Sequence, residues 1–133
     1  MPTKRWQSQA AIVYEMMIAI CTAIHRDYGR TKHVGAMAEE MLVGMVIRIN
    51  DVARRRPISI SAIGRQIGMP LPSVRRVLAK LIDHRGVVRK SGAGYIGDPD
   101  FILARDDRDD YVPEIQKAIT KAAAALTALK KKK

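Results

Sequence analysis

Two glycines four residues apart, Gly64 and Gly68, interrupt an apolar helical pattern within residues 58–82. Glycine inside a helix costs about 1 kcal/mol relative to alanine, so close approach of a second helix is the expected reason for Gly64. Gly68 permits a tight turn with a positive φ angle. Val74 and Val77 follow Gly68 by six and nine residues, the spacing of a buried helical face. The segment therefore predicts two short helices that pack across a tight turn.

The spacing of polar and apolar residues gives the extent of these elements. We predict a helix over 59–67 with Ser59 as its N-cap, and a second helix over 72–84 with proline in its first turn. A small hairpin follows over 87–96, with a glycine-rich tip at 92–94. The second helix buries one stripe and turns a polar face outward. The stripe consists of Val74, Val77, Leu78, Leu81 and Ile82, and the outward residues include Ser73, Arg75, Arg76 and Lys80.

The positive charge of the chain is concentrated in the same segment. The formal net charge is +11, and residues 54–96 carry ten basic side chains and one acidic side chain. The flanking segments, 1–53 and 97–133, each have a net charge of only +1. A charge excess confined to one stretch predicts a site for a polyanion.

Residues 58–96 resemble the winged helix-turn-helix of bacterial transcription regulators, in particular the DNA-binding part of IclR-type and MarR-type proteins. The residues that carry the resemblance are Gly64, Gly68, Val74 and Val77, together with the apolar residues of the first helix. The resemblance implies a mostly α fold, with a helical core and a small β-hairpin wing. It also implies duplex DNA as the partner, with the second helix in the major groove.

The same resemblance implies a set of DNA-binding residues. Arg75 or Arg76 is the expected guanine reader, because a guanidinium can bond guanine O6 and N7 together. A serine at the N-terminus of the recognition helix suits a phosphate, and cations on the wing suit phosphates more than insertion into the minor groove. The complete expected set is Arg65, Ser73, Arg75, Arg76, Lys80, Arg89 and Lys90.

The segments outside this unit predict helices suited to self-association. We expect a single domain over 1–133, with a helix over 7–28, the winged unit over 36–96 and a helix over 113–129. The last helix has apolar residues at coiled-coil spacing, namely Ile115, Ile119, Ala122, Leu126 and Leu129. Helices before and after the winged unit resemble the MarR layout. We therefore expect a homodimer that binds an inverted repeat, with recognition helices about 34–36 Å apart.

The apolar first helix raises the question of a membrane. Residues 10–24 contain one charged side chain, Glu15, but this run is too short to span a bilayer. No small-residue cleavage site typical of a signal peptide precedes His25. We expect no membrane partner, and a cytoplasmic protein associated with the nucleoid.

Residues that carry enzymatic or metal chemistry are scarce. Cys21 and His25 are four residues apart, yet no further ligand of the right type has a recognisable spacing. The acidic stretch over 98–110 predicts a solvated, irregular linker with a helical turn at 101–103. It lacks the ligand spacing and the glycine of a calcium loop. No phosphate-binding loop or nucleophile motif occurs. We expect no catalytic residues, no bound metal and no cofactor, and hence no enzyme.

Two other functions stay open at this stage. One is a non-specific or architectural DNA-binding protein of a mobile element, which would show little sequence preference and a strong salt dependence. The other is a winged-helix module for protein interaction, which would bind duplex DNA weakly even at low salt. Whether a small-molecule effector exists is also open. The methionines of the first two helices fit either a flexible core or an effector pocket, namely Met16, Met17, Met37, Met41 and Met45.

Overall fold

Apolar residues recur every three to four positions along the helices, and a hairpin forms around Gly92. The computed structural model describes residues 4–26, 33–83, 86–106 and 111–131. In chain order its elements are α1 (Lys4–Ile24), α2 (Val34–Val52), α3 (Ile60–Ile67), α4 (Leu71–Asp83), β1 (Val88–Ser91), β2 (Gly94–Gly97), α5 (Pro99–Asp106) and α6 (Val112–Lys131). The protein is thus mostly helical, with one two-stranded antiparallel sheet after α4. The predicted mostly helical fold with a small β-hairpin is confirmed, whereas the dimerisation role of the terminal helices stays a prediction.

The chain divides into two compact units, where the sequence analysis expects a single domain. One unit comprises the described residues of 1–34 and 110–133, and the other those of 35–109. The second unit contains α2 to α5 and both strands, and its boundaries enclose the predicted winged segment 36–96. This unit is continuous in sequence, and most of the buried apolar side chains belong to it.

The core of the second unit draws on α2, α3, α4 and the start of the hairpin. Its largest fully buried side chains are Met37, Val43, Ile47, Ile63, Val74, Val77, Leu78 and Leu81. Met37 of α2 is buried, whereas Met45 on the same helix is 36% exposed. The methionines of α2 therefore do not all belong to the core, and they do not line one common pocket.

The first unit is built from the two terminal helices. α1 packs along α6, and Arg26 after α1 forms an ion pair with Glu114 of α6. Ala122 lies in the middle of α6 and is buried. Three large apolar residues on another face of α1 are more than half exposed, namely Tyr14, Met17 and Ile18. These two helices are therefore paired within the chain, and α1 retains an uncovered apolar face.

α1 begins three residues before the predicted helix over 7–28, and residues 27 and 28 of that prediction lie outside the described residues. By length and composition its 21 residues would suffice to cross a membrane, and only 11% of its apolar window is buried. The criterion is weak, because core helices and N-terminal signal sequences also meet it. The packing of α1 along α6 shows that one face of this helix already contacts protein.

The end of α2 differs from the prediction. The sequence predicts a helix over 36–54 that the run of arginines before Pro57 ends, but α2 ends at Val52. Arg54 takes a positive φ of 56°. Its N–H bonds to the carbonyl of Asp51 at 2.9 Å, and the N–H of Arg55 bonds to the carbonyl of Asn50 at 3.3 Å. These two bonds form a Schellman motif with arginine where glycine is usual.

The acidic stretch is also more ordered than predicted. Residues 99–106 form α5 instead of an irregular linker. Asp98 caps this helix, because its Oδ1 accepts hydrogen bonds from the N–H groups of Asp100 (3.0 Å) and Phe101 (3.1 Å). An aspartate before a proline is a strong helix start, and this local signal outweighs the acidic composition of the stretch. Residues 107–110 of the predicted stretch lie outside the described residues.

Candidate nucleic-acid interface

α3 begins and ends as the sequence predicts. Ser59 is the N-cap, and its Oγ accepts a hydrogen bond of 3.2 Å from the N–H of Ala62. Gly68 is the C-cap in the left-handed conformation, with φ 67° and ψ 34°. Its N–H and that of Met69 both donate to the carbonyl of Gly64. These caps fix the direction in which the chain leaves α3.

Gly64 is required by the turn as well as by the second helix. A Cβ at this position would lie 2.7 Å from the carbonyl oxygen of Met69, and 3.7 Å from side-chain atoms of Leu71 and Val74. Real Cβ atoms do not approach backbone oxygen so closely. Close approach at Gly64 is therefore confirmed, with the turn carbonyl as the nearest neighbour.

α4 has a buried face and a cationic face. Val74, Val77, Leu78 and Leu81 are buried, and Ile82 at the end of the predicted stripe is half-buried. Arg75 and Arg76 are exposed, whereas Ser73 and Lys80 are half-buried. The first intrahelical bond runs from the N–H of Val74 to the carbonyl of Pro70. Ser73 therefore lies in the first turn, where backbone N–H groups point toward an incoming anion.

Arg76 is held by an acidic residue of α2. Its Nη2 lies 3.0 Å from Oε2 of Glu39, in both hydrogen-bond and ion-pair geometry. The side chains keep 50% and 38% of their exposure, so water reaches both groups. Within the described residues Arg75 has no such ion pair. The two adjacent arginines are thus electrostatically different.

The hairpin places its two cations on opposite faces. β1 and β2 are antiparallel, with Arg89 opposite Ile96 and Lys90 opposite Tyr95. Successive residues of a strand point to opposite sides, so Lys90 shares its side with buried Val88 and Arg89 does not. Both cations are exposed. The hairpin therefore presents one cation on each side.

The hairpin contacts the rest of the second unit at three points. Ile58, just before α3, exchanges backbone hydrogen bonds with Tyr95 at 3.1 and 2.9 Å. Gly94 makes this pairing possible, because a Cβ there would lie 2.5 Å from the carbonyl oxygen of Pro57. β1 also contacts α4, and Asp51 of α2 binds the N–H of Gly97. These contacts fix the wing relative to the recognition helix.

The other expected cation of this unit, Arg65, lies in the last turn of α3 and is exposed. All seven predicted DNA-binding residues are thus in the second unit, and none of them is buried. In the described part of the chain, no three His, Cys, Asp or Glu residues come together as a metal site would require.

Comparison with known families supports the assignment of this unit. Residues 52–91 match the family model described as the IclR helix-turn-helix domain. The segment is an IclR-type helix-turn-helix domain. The match ends inside the hairpin, at the last residue of β1. Searches of curated proteins and of solved structures found no match.

A domain of this type suggests a DNA-binding transcription regulator. The match covers under a third of the chain and includes α3, the turn and α4. It leaves α1 and α6 outside, so the MarR-like layout of the flanking helices stays a prediction.

Three contacts within the second unit were not predicted from the sequence. The pairing of Glu39 with Arg76 and the contact of Asp51 with Gly97 join residues 37 and 46 positions apart. Local spacing carries no signal for such contacts. The pairing of Ile58 with Tyr95 has a weak signal, because glycines on both sides of Tyr95 suggest close backbone approach.

Proposed function

We propose that the protein is a transcription regulator that binds duplex DNA in a sequence-specific manner. The observation that carries the proposal is the distribution of apolar and cationic residues on α4. This helix follows a confirmed tight turn, buries one apolar face, and exposes Arg75 and Arg76 on the other. A helix with this arrangement fits the major groove, where its N-terminal residues reach base edges.

The proposed contacts divide by the part of DNA that they recognise. Arg75 or Arg76 is proposed to read a base edge, with guanine as the preferred base. Ser73 is proposed for a phosphate at the N-terminus of α4. Arg65 on α3 and Lys80 on α4 are proposed for backbone phosphates. Arg89 and Lys90 are assigned to phosphates beside the wing.

The regulator is proposed to act as a homodimer in the cytoplasm, associated with the nucleoid. Support comes from the uncovered apolar face of α1, where Met17, Ile18 and Cys21 line a shallow groove with Thr22 and His25. A second copy would cover this face. A two-fold axis would then place two recognition helices on an inverted repeat with half-sites about 34–36 Å apart.

Duplex binding measured by fluorescence anisotropy tests this proposal. The probes are a random-sequence duplex and the duplex upstream of the gene, each across a series of salt concentrations. The variant Arg75→Ala/Arg76→Ala is compared with the control Lys117→Ala/Lys121→Ala, which removes two exposed cations of α6 outside the matched domain.

We expect the upstream duplex to bind at least about 10³-fold tighter than random DNA, and the α4 variant alone to lose this preference. Equal binding of both duplexes would indicate an architectural DNA-binding protein instead. In that case log K should fall linearly with the logarithm of the salt concentration, with a slope of about −0.9 per phosphate contact. Failure to bind either duplex at low salt would exclude the proposal and favour a module for protein interaction.

A further inference from the structure

The contact between Glu39 and Arg76 joins the recognition helix to α2. Only one hydrogen bond is formed, from Nη2 of Arg76 to Oε2 of Glu39. A guanidinium has five N–H donors in a planar fork, so a second edge of Arg76 is left for another acceptor. The carboxylate therefore holds the arginine without saturating it.

The partial exposure of this pair decides how strongly it is held. Half of the Arg76 side chain and more than a third of the Glu39 side chain remain accessible. An ion pair with this exposure is weak, because water and salt screen it. It can restrict the directions that Arg76 samples, and a stronger acceptor can still compete for the guanidinium.

DNA offers two kinds of acceptor with different geometry. A phosphate attracts Arg76 from many directions, but its approach must overcome or displace the Glu39 carboxylate. A guanine edge accepts two parallel hydrogen bonds in one plane, which suits an arginine whose direction is already restricted. Glu39 therefore disfavours the phosphate contact more than the guanine contact.

On the basis of the proposed function, we propose that Glu39 is a positioning residue that makes Arg76 the guanine reader of α4. Glu39 holds one edge of the guanidinium and presents the other to the base. It also offsets the charge of Arg76 on random DNA. Arg75, which has no ion pair within the described residues, is then the arginine that contacts phosphate.

The test compares wild-type protein with Glu39→Gln, Arg76→Gln and the double variant. The probes are a random-sequence duplex and a duplex enriched from a random library by the wild-type protein, each titrated across a potassium chloride series. Asp83→Asn is the matched control, because it removes one exposed negative charge from α4 itself. Circular dichroism verifies that each variant is folded.

We expect Glu39→Gln to bind random duplex more tightly, with a salt slope steeper by about 0.9, the value of one further phosphate contact. Its preference for the enriched duplex should fall by about fivefold, the lower limit of what one bidentate arginine–guanine pair supplies. In the Arg76→Gln background, Glu39→Gln should change neither quantity. Asp83→Asn should leave the preference for the enriched duplex unchanged.

Two results would overturn the inference while leaving the proposed function intact. One is a wild-type preference that Glu39→Gln does not reduce. The other is an effect of Glu39→Gln that persists without Arg76, since the carboxylate would then act only through its general charge. If wild-type protein neither binds the random duplex nor enriches any sequence, the inference fails together with the proposed function.

Discussion

The carboxylate of Asp51, near the end of α2, accepts a hydrogen bond of 2.8 Å from the backbone N–H of Gly97 at the end of β2. Gly97 is buried, and a Cβ there would lie 2.9 Å from the same carboxylate oxygen. The bond thus joins the wing to the helix that precedes the helix-turn-helix. It satisfies a backbone donor at the point where the hairpin ends.

Loss of this bond should destabilise the second unit. We expect Asp51→Ala to lower the free energy of unfolding by about 1–2 kcal/mol, because hydrogen bonds to charged groups are stronger than neutral ones and Gly97 loses its acceptor. Urea denaturation followed by circular dichroism measures the change. Asp83→Asn is the control, since it removes an exposed carboxylate near the C-terminus of α4, and it should cause no loss. Equal destabilisation by both variants would contradict the assigned role of Asp51.

Substitution by alanine should change the free energy of unfolding in opposite directions at Gly64 and Gly44, because only Gly64 has a close neighbour. Gly64→Ala should lower the free energy of unfolding by about 1–3 kcal/mol, because its methyl group would meet the Met69 carbonyl at 2.7 Å. Gly44→Ala, inside α2 with no neighbour within 4 Å of its Cβ, should raise this free energy by about 0.5–1 kcal/mol. Thermal and urea unfolding of both variants provide the comparison. Stabilisation of the protein by Gly64→Ala would exclude a packing role for this glycine.

The roles of residues that act through neighbouring backbone could be predicted from the sequence. Contacts between residues that are distant in the sequence could not. Ser59, Gly64 and Gly68 act through the backbone within a few positions, so their spacing alone predicted the turn and both of its helices. Arg76 was predicted to face outward, which is correct, but its partner Glu39 belongs to a different helix. Only the packing of α2 against the recognition unit brings these charges together.

The errors at element ends have a related physical cause. Pro57 does restrict the residue before it, yet α2 ends earlier because Arg54 adopts a positive φ and forms the Schellman bonds. A non-glycine residue rarely takes this conformation, so the sequence gives no sign of it. Asp98 is the opposite case, since its capping preference was visible and the acidic composition around it was misleading.

The conformation of Arg54 predicts a stabilising substitution. Arg54→Gly should raise the free energy of unfolding by about 0.5–1 kcal/mol, because glycine adopts φ 56° without steric cost. Arg55→Gly is the control: it removes the same charge from the next residue, whose φ is not positive, and should stabilise nothing. Urea denaturation of the two variants in parallel separates the conformational effect from the loss of charge. Equal stability changes in both variants would show that charge, not φ, is responsible.

The uncovered face of α1 predicts how the protein associates. Ile18 is 66% exposed and lies beside Met17 and Cys21 in the shallow groove, so a charge at this position should oppose any apolar contact made there. We expect wild-type protein to be a dimer and Ile18→Asp a monomer in size-exclusion chromatography with light scattering. Ala19→Asp, exposed on the same helix but rotated away from the groove, should remain a dimer.

Sedimentation with lipid vesicles, added to the size measurement, decides between a protein partner and a lipid partner for α1. A wild-type monomer that does not sediment with phosphatidylglycerol vesicles would exclude both a dimer and a lipid contact. A monomer that sediments with them would favour a membrane role, for which α1 is long and apolar enough. A dimer that persists in Ile18→Asp would place the interface elsewhere. The apolar residues of α2 that remain exposed would then be the next surface to substitute, since Leu42, Met45, Ile49 and Val52 recur at coiled-coil spacing along it.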